Sequence, residues 1–497
     1  MSRRLIAALA AACLLMPAPA AAARRDAPVT PRQLMRHIEM LASDGFEGRA
    51  PATEGERRTI AYISDQLRRR GVGPGAVGAS WYQPVDLIER RPLSHEARWS
   101  AGGRALAFDS ERITLVGTQP VQRIDDAPVV FAGHGLVDPV RGVDQLAGAD
   151  LRGAVALILV EAPDVPGFPS YADRERAVAR AGAAAVIGIV ADDVSWDAVV
   201  RAAAASDTVL ASRPPVSGAI QAGEVARLVA RAGGDFASLL NEQSGPAFRA
   251  VPLNLTAGFE IATEVRRYTS NNVVGRIAGT GGGGESVLLL GHWDHLGLCR
   301  PEGEADRICN GAVDNASGIA LLIEIAGRLV RRRPVRDVII LATTSEEVGL
   351  LGAEHFAVEP TVPLSSIVAA VNFDTVAIHG RGEPVAVIGR GLEPLDRAIA
   401  ETAAALGRRM DTTYAADAFI RRQDGWALTR AGVPAIMVGG SFANMDALQD
   451  FLSGAYHGPD DEAGPDIPLD GAAEDGDLMV ALVRRLADPA RYRPPPR

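Results

Sequence analysis

Three apolar runs in the second half of the chain each stop at charged side chains. Val287-Leu-Leu-Leu290 passes through Gly291 into His292-Trp293-Asp294-His295. Val338-Ile-Ile-Leu-Ala342 passes through Thr343-Thr344-Ser345 into Glu346-Glu347, and Ile367-Val-Ala-Ala-Val371 passes through Asn372-Phe373 into Asp374. Short continuous apolar runs of this kind predict buried strands. Stretches of helical spacing separate them, among them Ile319 to Val330 and Leu395 to Leu406. Strands alternating with helices from about residue 257 onward predict an α/β fold, a mostly parallel central sheet flanked by helices. Loops beyond the carboxyl ends of parallel strands converge on a crevice, so the charged clusters are expected along one sheet edge.

The first half has a different texture. Residues 31 to 72 predict helices, with Leu34, Ile38 and Leu41 on one face, Ile60, Ile63 and Leu67 on another, and Arg68-Arg69-Arg70-Gly71 as a basic last turn and glycine cap. Further on, the strand-like segments Val129-Val-Phe-Ala132, Ala154 to Val160 and Ala185 to Val190 accompany an Ala/Arg-rich helix from about Asp173 to Gly182. A chain of 497 residues exceeds what one core usually sustains. The expected organisation is a helical N-terminal part of the main domain over 24–114 and an inserted, small strand-rich domain with one or two helices over 115–255. The main α/β domain follows over 256–490, then a Pro-rich disordered tail over 491–497.

Composition narrows the setting. Arg3-Arg4, the apolar run Leu5 to Met16 and the small residues Ala20 to Ala23 have the layout of a secretory signal peptide over residues 1–23. No later segment is long and apolar enough to predict a membrane span. The expectation is an exported protein, periplasmic or secreted. A lipid anchor through Cys13 is disfavoured, because Ala10-Ala11-Ala12 is a poor lead-in and the apolar run continues beyond the cysteine. Removing residues 1–23 takes away two arginines, so the net charge of -10 becomes -12, which disfavours nucleic acid as a partner. All 51 basic residues are arginine. Without a lysine, the Gly281 to Gly284 run is no phosphate loop and reads as a flexible turn. Cys299 and Cys309 are close in sequence around a polar loop, and in an oxidising compartment they predict a disulfide rather than a pair of metal thiolates.

The charged clusters suit a metal. A neutral imidazole at His292 fits zinc, and Asp294 two residues later can accept the ring's other N–H and fix its tautomer. Asp314, in the turn Gly311-Ala-Val-Asp-Asn-Ala-Ser-Gly318 before an apolar helix, reads either as a helix cap or as a carboxylate bridging two cations. Two adjacent carboxylates after a buried strand repel each other unless a cation or proton lies between them. Glu347 is therefore assigned to the metal and Glu346 to the attacking water, an order that chemistry alone leaves reversible. Asp374 and, from a C-terminal loop, His457 complete a set of two imidazoles and three carboxylates, enough for two zinc ions sharing Asp314. His295, His355 and His379 lack such a pattern and read as packing or hydrogen-bonding residues. No His-Glu-x-x-His and no Gly-x-Ser-x-Gly occurs, which removes support for single-zinc helical proteases and serine hydrolases.

In order and spacing, His292-Trp-Asp294, Gly311 to Gly318, Ser345-Glu-Glu347, Asn372-Phe-Asp374 and Tyr456-His-Gly-Pro-Asp-Asp461 resemble the di-zinc aminopeptidases of peptidase family M28. Leu41 to Arg49 looks like that family's N-terminal segment. The resemblance implies a zinc-peptidase, phosphorylase/hydrolase-like fold and two zinc ions per chain. One would be held by His292, Asp314 and Asp374, the other by Asp314, Glu347 and His457. It also implies Glu346 as general base and the Tyr456 hydroxyl as an oxyanion donor. The inserted segment resembles a protease-associated domain. Gln423-Asp424-Gly425-Trp426 departs from the family pattern and marks Asp424 and Trp426 as candidate substrate-pocket residues. The implied activity is removal of amino-terminal residues from peptide substrates. The alternatives are a carboxypeptidase acting on acidic C-terminal dipeptides and a non-catalytic binding protein on the same fold. Oligomeric state is not legible.

Overall fold

The structure, a computed structural model, describes residues 26–138, 142–163, 168–245 and 247–494. The expected signal peptide and Cys13 lie outside the described residues. The chain enters through α1 (Pro31–Leu41), started by Thr30 and Gln33 in a reciprocal capping box, and α2 (Glu54–Arg69), capped by Thr53. Leu34, Ile38 and Leu41 of α1 and Ile60, Ile63 and Leu67 of α2 are buried in the largest hydrophobic cluster. Gly71 takes a φ of 87°, the left-handed conformation that glycine supplies after a helix.

The strands that frame the site and the inserted segment include β1 (Tyr82–Ala101), β2 (Ile113–Gly117), β3 (Val121–Phe131), β4 (Val155–Leu159), β5 (Ala185–Val190), β6 (Val216–Gln221), β7 (Val251–Ile277), β8 (Ser286–His292), β9 (Asp337–Thr343), β10 (Ile367–Asn372), β11 (Ala386–Ile388) and β12 (Ala435–Gly439). Their order across the sheet is β11-β12-β10-β8-β9-β7-β3-β4-β5-β6-β2, with β1 alongside β7. The four central strands β12, β10, β8 and β9 run parallel, while β11 and β7 flank them antiparallel. Val287 and Leu289 of β8 face one hydrophobic cluster and Leu288 and Leu290 face another on the opposite side of the sheet. Burial on both faces explains the unbroken apolar run, and each such leucine contributes about 1.5–3 kcal/mol. On the first face pack α1, α2, α7 (Ser317–Arg331) and α12 (Leu469–Leu486). The second is covered by α8 (Leu351–Val358) and α10 (Gly425–Arg430) through Phe356 and Leu428. The remaining main-domain helices are α9 (Leu395–Ala405) and α11 (Met445–Ser453).

Three expectations need correction. Residues 24–114 are not all helical: β1 is a 20-residue strand. It pairs antiparallel with β7 from Tyr82–Val273 to Ser100–Thr256, and β7 in turn pairs with β9 at one end and β3 at the other. This ribbon carries charged residues on its open positions, so its periodicity is that of a two-sided strand and not of a buried run. Residues 115–255 hold more than one or two helices: α3 (Tyr171–Arg180), α4 (Trp196–Ala204), α5 (Ala222–Arg231) and α6 (Phe236–Glu242) all lie there. They accompany a parallel array of β3, β4, β5 and β6, which makes this segment α/β, with one hydrophobic cluster inside it and a second shared with Trp99 of β1 and Phe259 of β7. Finally, the tail is anchored beyond residue 491: Tyr492 is buried and its carbonyl accepts a 2.9 Å hydrogen bond from Arg336 Nη1.

Candidate metal centre

Three parallel strands deliver the site. β8 ends at His292, β9 is followed by Glu346 and Glu347, and β10 by Asp374, so one sheet edge collects an imidazole and three carboxylates. Asp314 arrives from the turn before α7 and His457 from the loop after α11. His292 Nε2 lies 3.3 Å from Asp314 Oδ1 and 3.5 Å from Asp374 Oδ1. His457 Nε2 lies 3.4 Å from Asp314 Oδ2 and 2.9 Å from Glu347 Oε2. Asp314 thus gives one oxygen to each imidazole, and each imidazole has a second carboxylate of its own. Donor atoms of His292, Asp314 and Glu347, and of His292, Glu346 and Asp374, fall within 4.8 Å of one another.

The donor set fits a divalent metal. Asp314, Asp374 and His292 are buried, and desolvated carboxylates this close to one another require positive charge between them. Burial pushes the Glu346 carboxyl well above its ordinary range, and the neighbouring Asp374, Asp424 and Glu347 charges push it further against the opposing effect of His292. Burial opposes ionisation of Asp314 too, but its contacts with His292 and His457 outweigh that and hold it below the usual range. Imidazole and carboxylate are the ligands that zinc takes.

The supporting residues differ from expectation in several places. His292 Nδ1 lies 3.1 Å from the backbone carbonyl of Asp294, while the Asp294 carboxylate stands at 3.9 Å. The ring is therefore oriented by the main chain, and the carboxylate accepts the Glu346 N–H at 3.2 Å instead. His295, read from sequence as a packing residue, has Nδ1 2.6 Å from Glu347 Oε1 and holds that carboxylate from behind. Asp461 accepts the N–H groups of Val313 and Asp314 at 2.8 and 3.0 Å. Asn315 donates to the carbonyls of His292 and Phe373 and accepts from Gly318 and Thr375, tying the turn to two strand ends. The sequence reading gave His295 and Asn315 no role at the site, because the long-range partners that reveal one, Glu347 and Phe373, lie 52 and 58 residues away. Ser345, Thr375 and His457 have φ of 55°, 50° and 58°. Left-handed backbone at such residues costs roughly 1–3 kcal/mol each and persists where surrounding contacts dictate it.

A cavity opens over His292, Asp314, Glu346 and Asp374. Its far wall is apolar, from Phe419, Met437, Phe442, Leu448 and Leu452, with Arg422, Gln423 and Tyr456 also lining it. Tyr456 stacks on His457 with ring centroids 3.7 Å apart. Burial and the nearby carboxylates push its hydroxyl pKa up, which keeps it protonated and able to donate. Asp424 and Trp426 do not line the cavity. Asp424 immediately precedes α10 and turns inward, accepting a hydrogen bond from Thr343, and Trp426 is half-buried with Arg421 over its ring. The residues just before them, Arg422 and Gln423, take the positions expected of that pair. Nearby, Cys299 and Cys309 have their sulfurs at bonding distance and Cα atoms 5.7 Å apart.

Comparison with known proteins places this half of the chain. Residues 272–483 match the sequence model of Peptidase family M28. A probable zinc metalloprotease of Pyrenophora tritici-repentis is 26% identical over 201 residues, covering 34% of this chain and 41% of that protein. One from Leptosphaeria maculans is 28% identical over 197 residues, covering 33% and 45%. The chain thus spans less than half the length of these curated relatives. Among solved structures, an aminopeptidase from Aneurinibacillus sp. strain AM-1 shows 19% identity and a TM-score of 0.47, covering 94% of this chain and 95% of that one. A zinc aminopeptidase from Bacillus subtilis shows 16% identity and a TM-score of 0.45, covering 94% and 98%.

Proposed function

We propose that this chain, a member of peptidase family M28 through residues 272–483, is an exported zinc-dependent aminopeptidase that hydrolyses the N-terminal peptide bond of peptides. The observation that carries this reading is Asp314, whose two oxygens each meet a different imidazole. That arrangement supports two zinc ions, one on His292, Asp314 and Asp374 and one on Asp314, Glu347 and His457. When bound, such a pair supplies an acidified water and a Lewis acid for the scissile carbonyl.

The remaining work falls to side chains. Glu346 stands at the cavity, where its carboxylate form is suited to take a proton from water and pass it to the departing amine. Asp294 fixes the Glu346 backbone, and its own carbonyl accepts from His292 Nδ1, which leaves Nε2 facing the carboxylates. Tyr456 is placed to donate toward developing oxyanion charge. The acidic side chains at the cavity floor meet the substrate's free amine, and the apolar wall accepts a hydrophobic first side chain. The expected signal peptide and the Cys299–Cys309 pair, as a disulfide, suit an oxidising compartment. Residues 115–255 act as a protease-associated-like module beside the peptidase domain.

A second reading draws on Arg422. Among the described residues it is the one arginine on the cavity lining, and it suits a substrate carboxylate such as that of an acidic C-terminal dipeptide. Both readings are tested by zinc content together with hydrolysis of aminoacyl anilides, N-acetylated peptides and peptides with acidic C-termini. Two zincs per chain and cleavage of free-amine substrates alone are expected, with Glu346→Gln losing about 10²- to 10⁴-fold in kcat while keeping its metal. Cleavage of blocked acidic peptides would transfer the site to the carboxypeptidase reading. Undiminished turnover in Glu346→Gln would remove that residue as the base.

A further inference from the structure

Arg49 is 1% exposed and lies 243 residues before His292 in the chain, yet its guanidinium sits directly behind the metal centre. Nε donates to the Trp293 carbonyl at 2.9 Å, Nη2 to Gly311 at 2.9 Å, and Nη1 to Leu41 at 2.9 Å and to Asn310. Four of the five N–H donors are spent on main-chain carbonyls. Among the described residues no carboxylate lies within ion-pair distance of it, although the charges of Asp461, Asp314, Asp294 and Glu347 all act on it through the protein. Its own carbonyl faces the His295 N–H at 3.4 Å.

The backbone is bent to put it there. Glu47, Gly48 and Arg49 take φ of 50°, 62° and 55° in succession. A Cβ on Gly48 would meet the Cys309 carbonyl oxygen at 2.4 Å and Gly297 Cα at 2.8 Å, so the turn is pressed into the loop that Cys299 and Cys309 close. Trp293 separates His292 from Asp294, and Asn310 and Gly311 open the turn that carries Asp314. A planar guanidinium with donors in fixed directions sets the spacing of two loops far better than a flexible ammonium. A buried cation without a paired anion is unfavourable by itself, and the carboxylate-rich centre beside it is what offsets that.

We infer that Arg49 is a positioning residue of the metal centre: it locks the loop after β8 to the turn before α7 and supplies fixed positive charge behind the ligand carboxylates. This inference rests on the zinc reading above. It places the N-terminal helical segment inside the catalytic apparatus, where it helps hold the ligands.

The test compares full-length wild type, Arg49→Met and Arg49→Lys, with zinc affinity measured by chelator competition and thermal midpoints recorded with and without zinc. Arg49→Met is expected to weaken zinc binding about 10- to 100-fold, the usual effect of removing a group that orients metal ligands. Arg49→Lys keeps hydrogen-bond donors without the fork and should recover part of that loss. A purely structural residue would lower the metal-free and zinc-loaded midpoints equally. A positioning residue shrinks the zinc-dependent rise as well, by about 1.4 kcal/mol for each tenfold in affinity. If Arg49→Met fails to fold, the Arg49→Lys comparison decides by the same two readouts. Wild-type zinc affinity and an undiminished zinc-dependent rise in the folded variants would overturn the role of Arg49 alone. A wild type that takes up no zinc would overturn the metal-centre reading with it, so the two failures are distinct.

Discussion

Asp475, on α12, is buried and receives three hydrogen bonds: from His379 Nε2 at 3.0 Å, from the Gly440 N–H at 2.7 Å and from Arg408 Nη2 at 3.0 Å. Gly440 leads into Phe442, part of the cavity wall, so this carboxylate ties the last helix to the site. Asp475→Asn keeps the shape, removes the charge and turns an N–H₂ toward a group that is itself a donor. Hydrogen bonds to charged groups are each worth about 1.5–3 kcal/mol, while Arg408 keeps Glu474 at 3.3 Å as a second partner. A loss of about 1.5–3 kcal/mol is therefore expected, against the roughly 5–15 kcal/mol that holds a protein folded. Urea unfolding followed by tryptophan fluorescence reads it as a fall in midpoint at unchanged slope.

The same contact predicts a pH dependence. Burial lowers the His379 pKa, but its hydrogen bond to Asp475, the Asp475 charge and the Gly380 carbonyl outweigh burial and raise it. A raised folded-state value means that this contribution is fully present below about 6.5, the ordinary histidine value, and fades as pH rises through the raised value. Wild type should show that loss on the alkaline side and Asp475→Asn should not. A midpoint shift worth under about 1 kcal/mol near neutral pH, with the alkaline loss retained in the variant, would refute the assignment.

Two further perturbations test other links. Glu354 of α8 bridges Arg176 of α3 and Arg430 of α10, each at 2.6 Å, and Asp173 pairs with the same two guanidiniums, so Glu354→Gln removes one of the two anions where the inserted segment meets the main domain. A loss of about 1.5–3 kcal/mol is expected, seen as faster limited proteolysis across residues 115–255, and an unchanged cleavage rate would contradict it. Replacing Cys299 and Cys309 together by serine opens a loop of sequence separation 10. Chain-entropy reasoning gives a loss of about 2–3 kcal/mol, read in thermal unfolding under non-reducing conditions, and a variant as stable as wild type would exclude a covalent bridge there.

Much of the centre was legible because its information is local. An apolar run buried on both faces announces a central parallel strand, and a polar residue just beyond it must emerge at the sheet edge. That reasoning put His292, Glu346, Glu347 and Asp374 at one sheet edge, where the strand ends do lie, while the turn into α7 left Asp314 open between helix cap and ligand. Where local and tertiary signals conflict, sequence reading fails. β1 and β7 mix polar and charged residues with apolar ones and declare themselves as long strands through their pairing with each other. Asp424 looks like a pocket residue from its neighbourhood, but its position before α10 turns it toward Thr343.

The sequence by itself determined which residue types could hold a cation and in what order the strands would present them. The tertiary structure alone decided how those residues are held. His295 is held to Glu347, Asn315 to Phe373, Asp461 to Asp314 and Arg49 to Gly311, across 52, 58, 147 and 262 residues. Hydrogen bonds between groups so far apart leave no periodicity or spacing in the chain, because their geometry exists only once the sheet and its helices have brought the loops together.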